Sequence, residues 1–155
     1  MSATTRPPRS GERDGRDYHF LDPAEFERRV AAGEFLEHAE YAGNRYGTLR
    51  SEVEAGPVVL EIEVQGARQV REALPAAVQV FIAPPSVEAL RERLVGRGTD
   101  SPEGIQTRLA QAEEELRAQD EFQHVVVNDD LSRATAELSR LVATIWPRPN
   151  REGSP

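Results

Sequence analysis

A chain of 155 residues is long enough for one domain with a real core and too short for two independent ones. Its 38% apolar and 30% charged residues and net charge of −8 mark a soluble globular protein whose overall field repels nucleic acid and anionic lipid. There is no cysteine, and all 19 basic residues are arginine, which excludes disulfides, thiolate nucleophiles, lysine Schiff bases and any lysine-dependent phosphate loop.

The opening stretch, TTRPPRSGERDGRDYHF, has no apolar run after its charges, and no segment approaches the ~20 apolar residues that span a bilayer. A cytoplasmic protein is expected, with neither nucleic acid nor membrane as partner. Arg6 and Arg9 stand three apart across two prolines that restrict the backbone, so two planar guanidinium forks can converge on one phosphate. Tyr18, after a glycine turn, and Tyr46, in GNRYGT, offer further hydroxyl donors. The competing reading is a solvated loop whose arginines pair with Glu12, Asp14 and Asp17.

The first helix signal is DPAEFERRVAAGEF, with Asp22 as cap, Pro23 at the first helical position, Glu25 at the capping-box position and Gly33 as a left-handed stop. Next comes Glu37, behind an apolar pair in GEFLEHAEY. A carboxylate partly buried there accepts from two adjacent N–H donors, which the N1 and exocyclic N2 edge of guanine presents and adenine lacks. Thr48 can read the neighbouring oxygen. Alone, a glutamate at such a place is more often an exposed charge, and the spacing by itself supports little.

Pro57 to Val64 (PVVLEIEV) reads as a buried strand carrying Glu61 and Glu63 on one face, and Val78 to Ile82 and His124 to Val127 as two more. Helical patterns fall at Gly66 to Glu72, Val87 to Val95, Pro102 to Asp120 and Leu131 to Ile145, and this alternation predicts an α/β fold with parallel core strands. The last helix places Leu131, Ala134, Leu138, Leu141, Val142 and Ile145 on one stripe for packing on a sheet. Arg93 and Arg97 lie one helical turn apart, and Arg108 follows the turn GTDSPEG, so three cations can meet a phosphoryl group. His19, His38 and His124 are too scattered for a zinc site.

Together S-x-T-T-R-x-P-R-x-G-E-x-x-G-x-x-Y-x-F (Ser2 to Phe20), GEFLEHAEYAGNRYGT (Gly33 to Thr48), LEIEVQGARQVR (Leu60 to Arg71), IAPPS (Ile82 to Ser86), LRERLVGRGTDS (Leu90 to Ser101) and VVNDDL (Val126 to Leu131) resemble guanylate kinase, in the family's order. The resemblance implies a P-loop-kinase-type parallel sheet flanked by helices, with an inserted nucleotide-monophosphate-binding domain and a helical lid. It implies the reaction of ATP and GMP to ADP and GDP, with Mg2+ accompanying ATP. It assigns Arg6, Arg9, Tyr18 and Tyr46 to the GMP phosphate and Ser2, Glu37 and Thr48 to the guanine. Glu61 is expected near the acceptor nucleotide, and Glu63, where the family more often has aspartate, near magnesium-bound water. Arg93, Arg97 and Arg108 are expected on the ATP phosphates as catalytic groups, and Asn128 near the adenine.

The implied parts are a GMP-binding domain at 1–57, core strands and helix at 58–86, a lid at 87–121, a core strand and C-terminal helix at 122–146, and a tail at 147–155. The chain departs from the family in carrying no G-x-x-x-x-G-K-[ST] loop and no lysine. The expectation is therefore a guanylate kinase without its first strand and phosphate loop. A segment around Ser51 to Pro57 is also shorter than the family's. The alternative is a non-catalytic guanylate-kinase-like module that binds GMP or a phosphorylated peptide.

Overall fold

The computed structural model describes residues 1–54, 56, 58–97 and 102–146, the Arg97 side chain excepted. Pro57, the turn residues 98–101, the tail 147–155 and the Arg97 guanidinium, each the subject of an expectation above, lie outside the described residues. The chain divides into two compact units, Met1–Ala77 and Val78–Pro155.

The first unit is built on four strands: β1 (Ser2–Thr4), β2 (His19–Phe20), β3 (Phe35–Tyr41) and β4 (Asn44–Leu49), in the order β2-β1-β4-β3. Only β1 and β2 run parallel. β3 and β4 form a hairpin that turns at Ala42 and Gly43, with φ of 50° and 74°, and this pair of left-handed residues matches the strands' twist. The hairpin went unrecognised in the sequence because FLEHAEY does not alternate, and the register explains why. Phe35 pairs with Leu49 and Glu37 with Thr48, so β3 advances two residues while β4 advances one. That bulge turns Phe35 and Glu37 to opposite faces, where regular alternation would put them on the same one.

Helix α1 (Pro23–Ala31) begins as its sequence predicts: the Asp22 carboxylate accepts from the Glu25 N–H at 2.8 Å, and Gly33 has φ +69°. Glu25 turns its own carboxylate to Arg28 and Arg29, which pull its pKa down to about 2. The helix lays Phe26, fully buried, on Phe35 with ring centroids 4.5 Å apart, and Ala3 and Leu49 complete the cluster. Burying a phenylalanine this fully contributes about 1.5–3 kcal/mol.

After β4 comes α2 (Arg50–Glu54), then α3 (Val64–Ala73). The strand expected over Pro57 to Val64 does not form among the described residues, and Val59 is 83% exposed. A run of β-branched residues becomes a strand only when a neighbour pairs its N–H and C=O groups. Here the far end of the run turns into a helix instead, because the Glu63 carboxylate accepts from the N–H groups of Gln65 and Gly66, each at 2.5 Å.

In the second unit β5 (Val80–Ala83) and β6 (His124–Val127) pair in parallel, Val80 opposite His124 through Ala83 opposite Val127. Helices α4 (Val87–Arg97) and α5 (Pro102–Arg117) contact each other, a short 3-10 turn spans Gln119–Glu121, and α6 (Leu131–Ile145) is capped by Asp130. The apolar stripe of α6 is only partly covered: Ala134 is buried, but Leu131 is 74% exposed and Val142 and Ile145 are also exposed. A sheet of two strands is too narrow to cover a 15-residue helix. The fold is mixed α/β, as expected, and no described helix is long and apolar enough to cross a membrane.

Candidate active site

Ser2 on β1, Thr48 on β4 and Glu37 on β3 stand directly opposite one another, in one row across three strands. Cross-strand neighbours project from the same face, here the face away from Phe26. Thr48 is 1% exposed and Glu37 4%, and the Thr48 hydroxyl has no hydrogen-bond partner in the structure. A buried hydroxyl left without a partner is uncommon in a folded protein and is what a ligand-reading group looks like before its ligand arrives.

Burial pushes the Glu37 carboxyl above the usual carboxylate range. The Glu63 charge adds to the rise, while the Thr48 hydroxyl, close by though not aligned for a hydrogen bond, the Thr48 N–H and His38 oppose it. Because the folded state favours the neutral acid, Glu37 favours folding below its unfolded pKa, and that contribution is lost as pH rises through the folded one. Glu37→Gln, neutral throughout, is therefore expected to melt higher than wild type at pH 7, with the gap closing as pH falls toward the ordinary glutamate range. Paired thermal melts across that range check this, and a gap independent of pH would contradict it.

The residues predicted for a phosphate gather at the other end of β1. The Arg6 guanidinium lies 5.5 Å from the Tyr18 ring centre, and the Tyr18 and Tyr46 rings meet edge-on at 6.5 Å. Arg6 also forms a two-point ion pair with Glu12, at 2.9 and 3.0 Å, and Glu12 accepts from the Arg9 N–H at 2.7 Å. The pairing expected of a solvated loop is thus formed, but it ties the two arginines together within the same cluster. The Arg9 guanidinium is exposed and has no hydrogen-bond partner among the described residues.

A cleft of about 410 Å³ includes Ser2, Tyr18, Thr48 and the exposed Glu61 in its lining. Glu63 does not line this cleft but stands near Glu37 at Gly66, with both carboxylate oxygens on the N-terminus of α3. Among the described residues no group of three acidic or histidine side chains is placed to hold a metal ion. In the second unit the Arg93 guanidinium donates to the Asn128 carbonyl at 2.7 Å, so two residues assigned to the ATP side do meet. Arg108 is half-buried on α5.

Residues 1–145 match the guanylate kinase family model. This chain belongs to the guanylate kinase family. It is 56% identical over 147 residues to the guanylate kinase of Gloeobacter violaceus, a match covering 92% of this chain and 72% of that protein. To the guanylate kinase of Symbiobacterium thermophilum it is 52% identical over 159 residues, covering 99% and 75%. The crystal structure of guanylate kinase from Anaplasma phagocytophilum superposes with a TM-score of 0.80 at 34% identity, covering 96% of this chain and 75% of that one. The alternative of a non-catalytic module binding GMP or a phosphorylated peptide is not favoured by relatives of this similarity.

Two residues of this guanylate kinase chain that the sequence reading left without a site role stand close to the predicted groups. Glu12 joins Arg6 to Arg9, and its signal was its place three residues after Arg9 in the turn PRSGE. Gln69 bonds the backbone of β3 beside Glu37, and nothing local in VQGARQV announces that contact.

Proposed function

We propose that the Met1–Ala77 unit is the acceptor site of the guanylate kinase reaction and binds GMP. The observation that carries this is the row Ser2–Thr48–Glu37, ending in a buried carboxylate and an unpartnered hydroxyl, on the same sheet as the Arg6–Tyr18–Tyr46 cluster. Glu37 accepts from guanine N1–H and the exocyclic amine, two donors that compensate for its burial, while Thr48 and Ser2 read the remaining edge. Arg6, Arg9, Tyr18 and Tyr46 take the phosphate, with Arg9 the least committed of them in the absence of a ligand, and Glu61 borders the cleft toward the sugar.

The chemistry is attack of a GMP phosphate oxygen on the terminal phosphorus of ATP, releasing ADP, and it rests on positioning and charge stabilisation. Arg93, Arg97 and Arg108 are the groups proposed to steady the charge of the transferring phosphoryl group, with Asn128 toward the adenine. ATP comes with Mg2+ as a magnesium complex whose phosphates and retained waters supply the ion's ligands, which suits a chain with no ready-made cage among its described residues. Glu63 is committed to capping α3, so any share it has in the ion's hydration passes through a water.

Calorimetric titration with GMP and AMP tests the reading. GMP is expected to bind about 10²-fold more tightly, and equal affinities would overturn it. Arg9→Ala is expected to weaken GMP and AMP alike, by about tenfold, since it removes a charge-assisted phosphate contact and no base contact. An unchanged affinity for GMP would remove Arg9 from the phosphate site.

A further inference from the structure

The outer edge of β3 has no strand beside it among the described residues, since the sheet order ends there. An edge strand normally offers its free N–H and C=O groups to water. At His38 they are taken by one side chain: the His38 N–H donates to Gln69 Oε1 at 3.1 Å, and Gln69 Nε2 donates to the His38 carbonyl at 2.7 Å. The amide of Gln69 thus stands in for one residue of a neighbouring strand.

Two further observations give this clamp a purpose. Gln69 lies three residues after Gly66 on α3, so both face the same side of the helix. At Gly66 the Glu37 carboxylate approaches so closely that a Cβ there would lie 2.6 Å from Glu37 Oε2. One face of α3 therefore receives the side chain of Glu37 and, one turn on, holds the backbone of the residue that follows it. Just before Glu37 the bulge interrupts the ladder to β4, so the ladder alone leaves this stretch of β3 less firmly held.

We propose that Gln69 is a positioning residue for base recognition, fixing β3 against α3 so that the Glu37 carboxylate stands where the two guanine donors meet it. This rests on the reading of Glu37 as the guanine-reading acid. Binding groups must be held to within about 0.5 Å to be effective, and a two-point amide clamp at the adjacent residue supplies that restraint. Gln69 does not contact the nucleotide itself, so its effect should pass entirely through Glu37.

The test is a double-mutant cycle read by calorimetry with GMP and AMP, with amide hydrogen exchange followed at His38. Gln69→Leu and Gln69→Met remove the amide and keep the bulk. Each is expected to weaken GMP about tenfold, to leave AMP within about twofold, and to speed exchange at the His38 N–H. In a Glu37→Ala background the same substitutions should cost GMP nothing more. AMP binding, which draws on the phosphate groups alone, reports that each variant is folded. Equal losses for GMP and AMP, full additivity with Glu37→Ala, or unchanged His38 exchange would each overturn the proposal. If wild type itself fails to prefer GMP while Gln69→Leu still speeds His38 exchange, the clamp exists but the reading of Glu37 is wrong, and the positioning role falls with it.

Discussion

Incubated with GMP and MgATP, the purified 155-residue chain is expected to form GDP at a rate at least about 10³-fold below that of a guanylate kinase carrying a phosphate loop. The groups proposed for the acceptor site and the arginines proposed for the transferring phosphate are in the sequence, but no lysine and no glycine-rich phosphate loop are. In phosphoryl transfer there is little covalent work for the protein, so the rate depends on how well the donor phosphates are held in line and neutralised. A single well-placed arginine alone is worth about 10³ to 10⁵ in such reactions, and losing the whole cradle should cost no less. A coupled spectrophotometric assay decides the matter. Robust GDP formation that Arg97→Ala abolishes would show that other groups hold the donor.

Glu37→Ala should lower GMP affinity by about 10²-fold while leaving AMP nearly unchanged, so that base discrimination disappears. The size follows from losing two hydrogen bonds to a charged acceptor, each worth about 1.5–3 kcal/mol, set against the relief of no longer burying the carboxylate, with 1.4 kcal/mol for each tenfold. Competition binding with both nucleotides measures the ratio directly. A proportional loss of GMP and AMP would mean that Glu37 supports the sheet and does not read the base.

Much of the architecture was legible because its signals are local. The Asp22 cap, Pro23 and the Gly33 stop delimit α1 within a residue of where it lies, and HVVV is β6 from end to end. The strand predicted at Pro57 to Val64 failed for the opposite reason: a strand is a relation between two segments, and composition reports only one of them. The same limit applies to the site. Arg6 and Arg9 stand out as candidates through their proline-framed spacing, whereas the apolar pair before Glu37 marks it only weakly. Gln69 stands 31 residues from His38, and its role exists only because α3 folds back along β3. Glu63, a strand acid by its sequence pattern, is a helix cap, because the N–H groups of Gln65 and Gly66 and not a neighbouring strand meet this segment.

The extra residue in β3 has an evolutionary consequence. Phe35 serves the core and Glu37 the opposite face, proposed to read the nucleotide, although they are separated by the spacing that ordinarily keeps two side chains together. Straightening the ladder with Leu36 still in place would force a choice, since either an aromatic ring leaves its place on Phe26 or the acid leaves Thr48, whereas deleting Leu36 would make the two residues neighbours that still face opposite ways. Lineages of this domain can therefore lengthen or shorten the loops around the hairpin, or lose the bulge together with the residue that makes it, but a regular ladder that keeps all three residues trades folding against recognition. Selection should hold the extra residue and the bulge together as one unit, more tightly than the identity of the residue between Phe35 and Glu37.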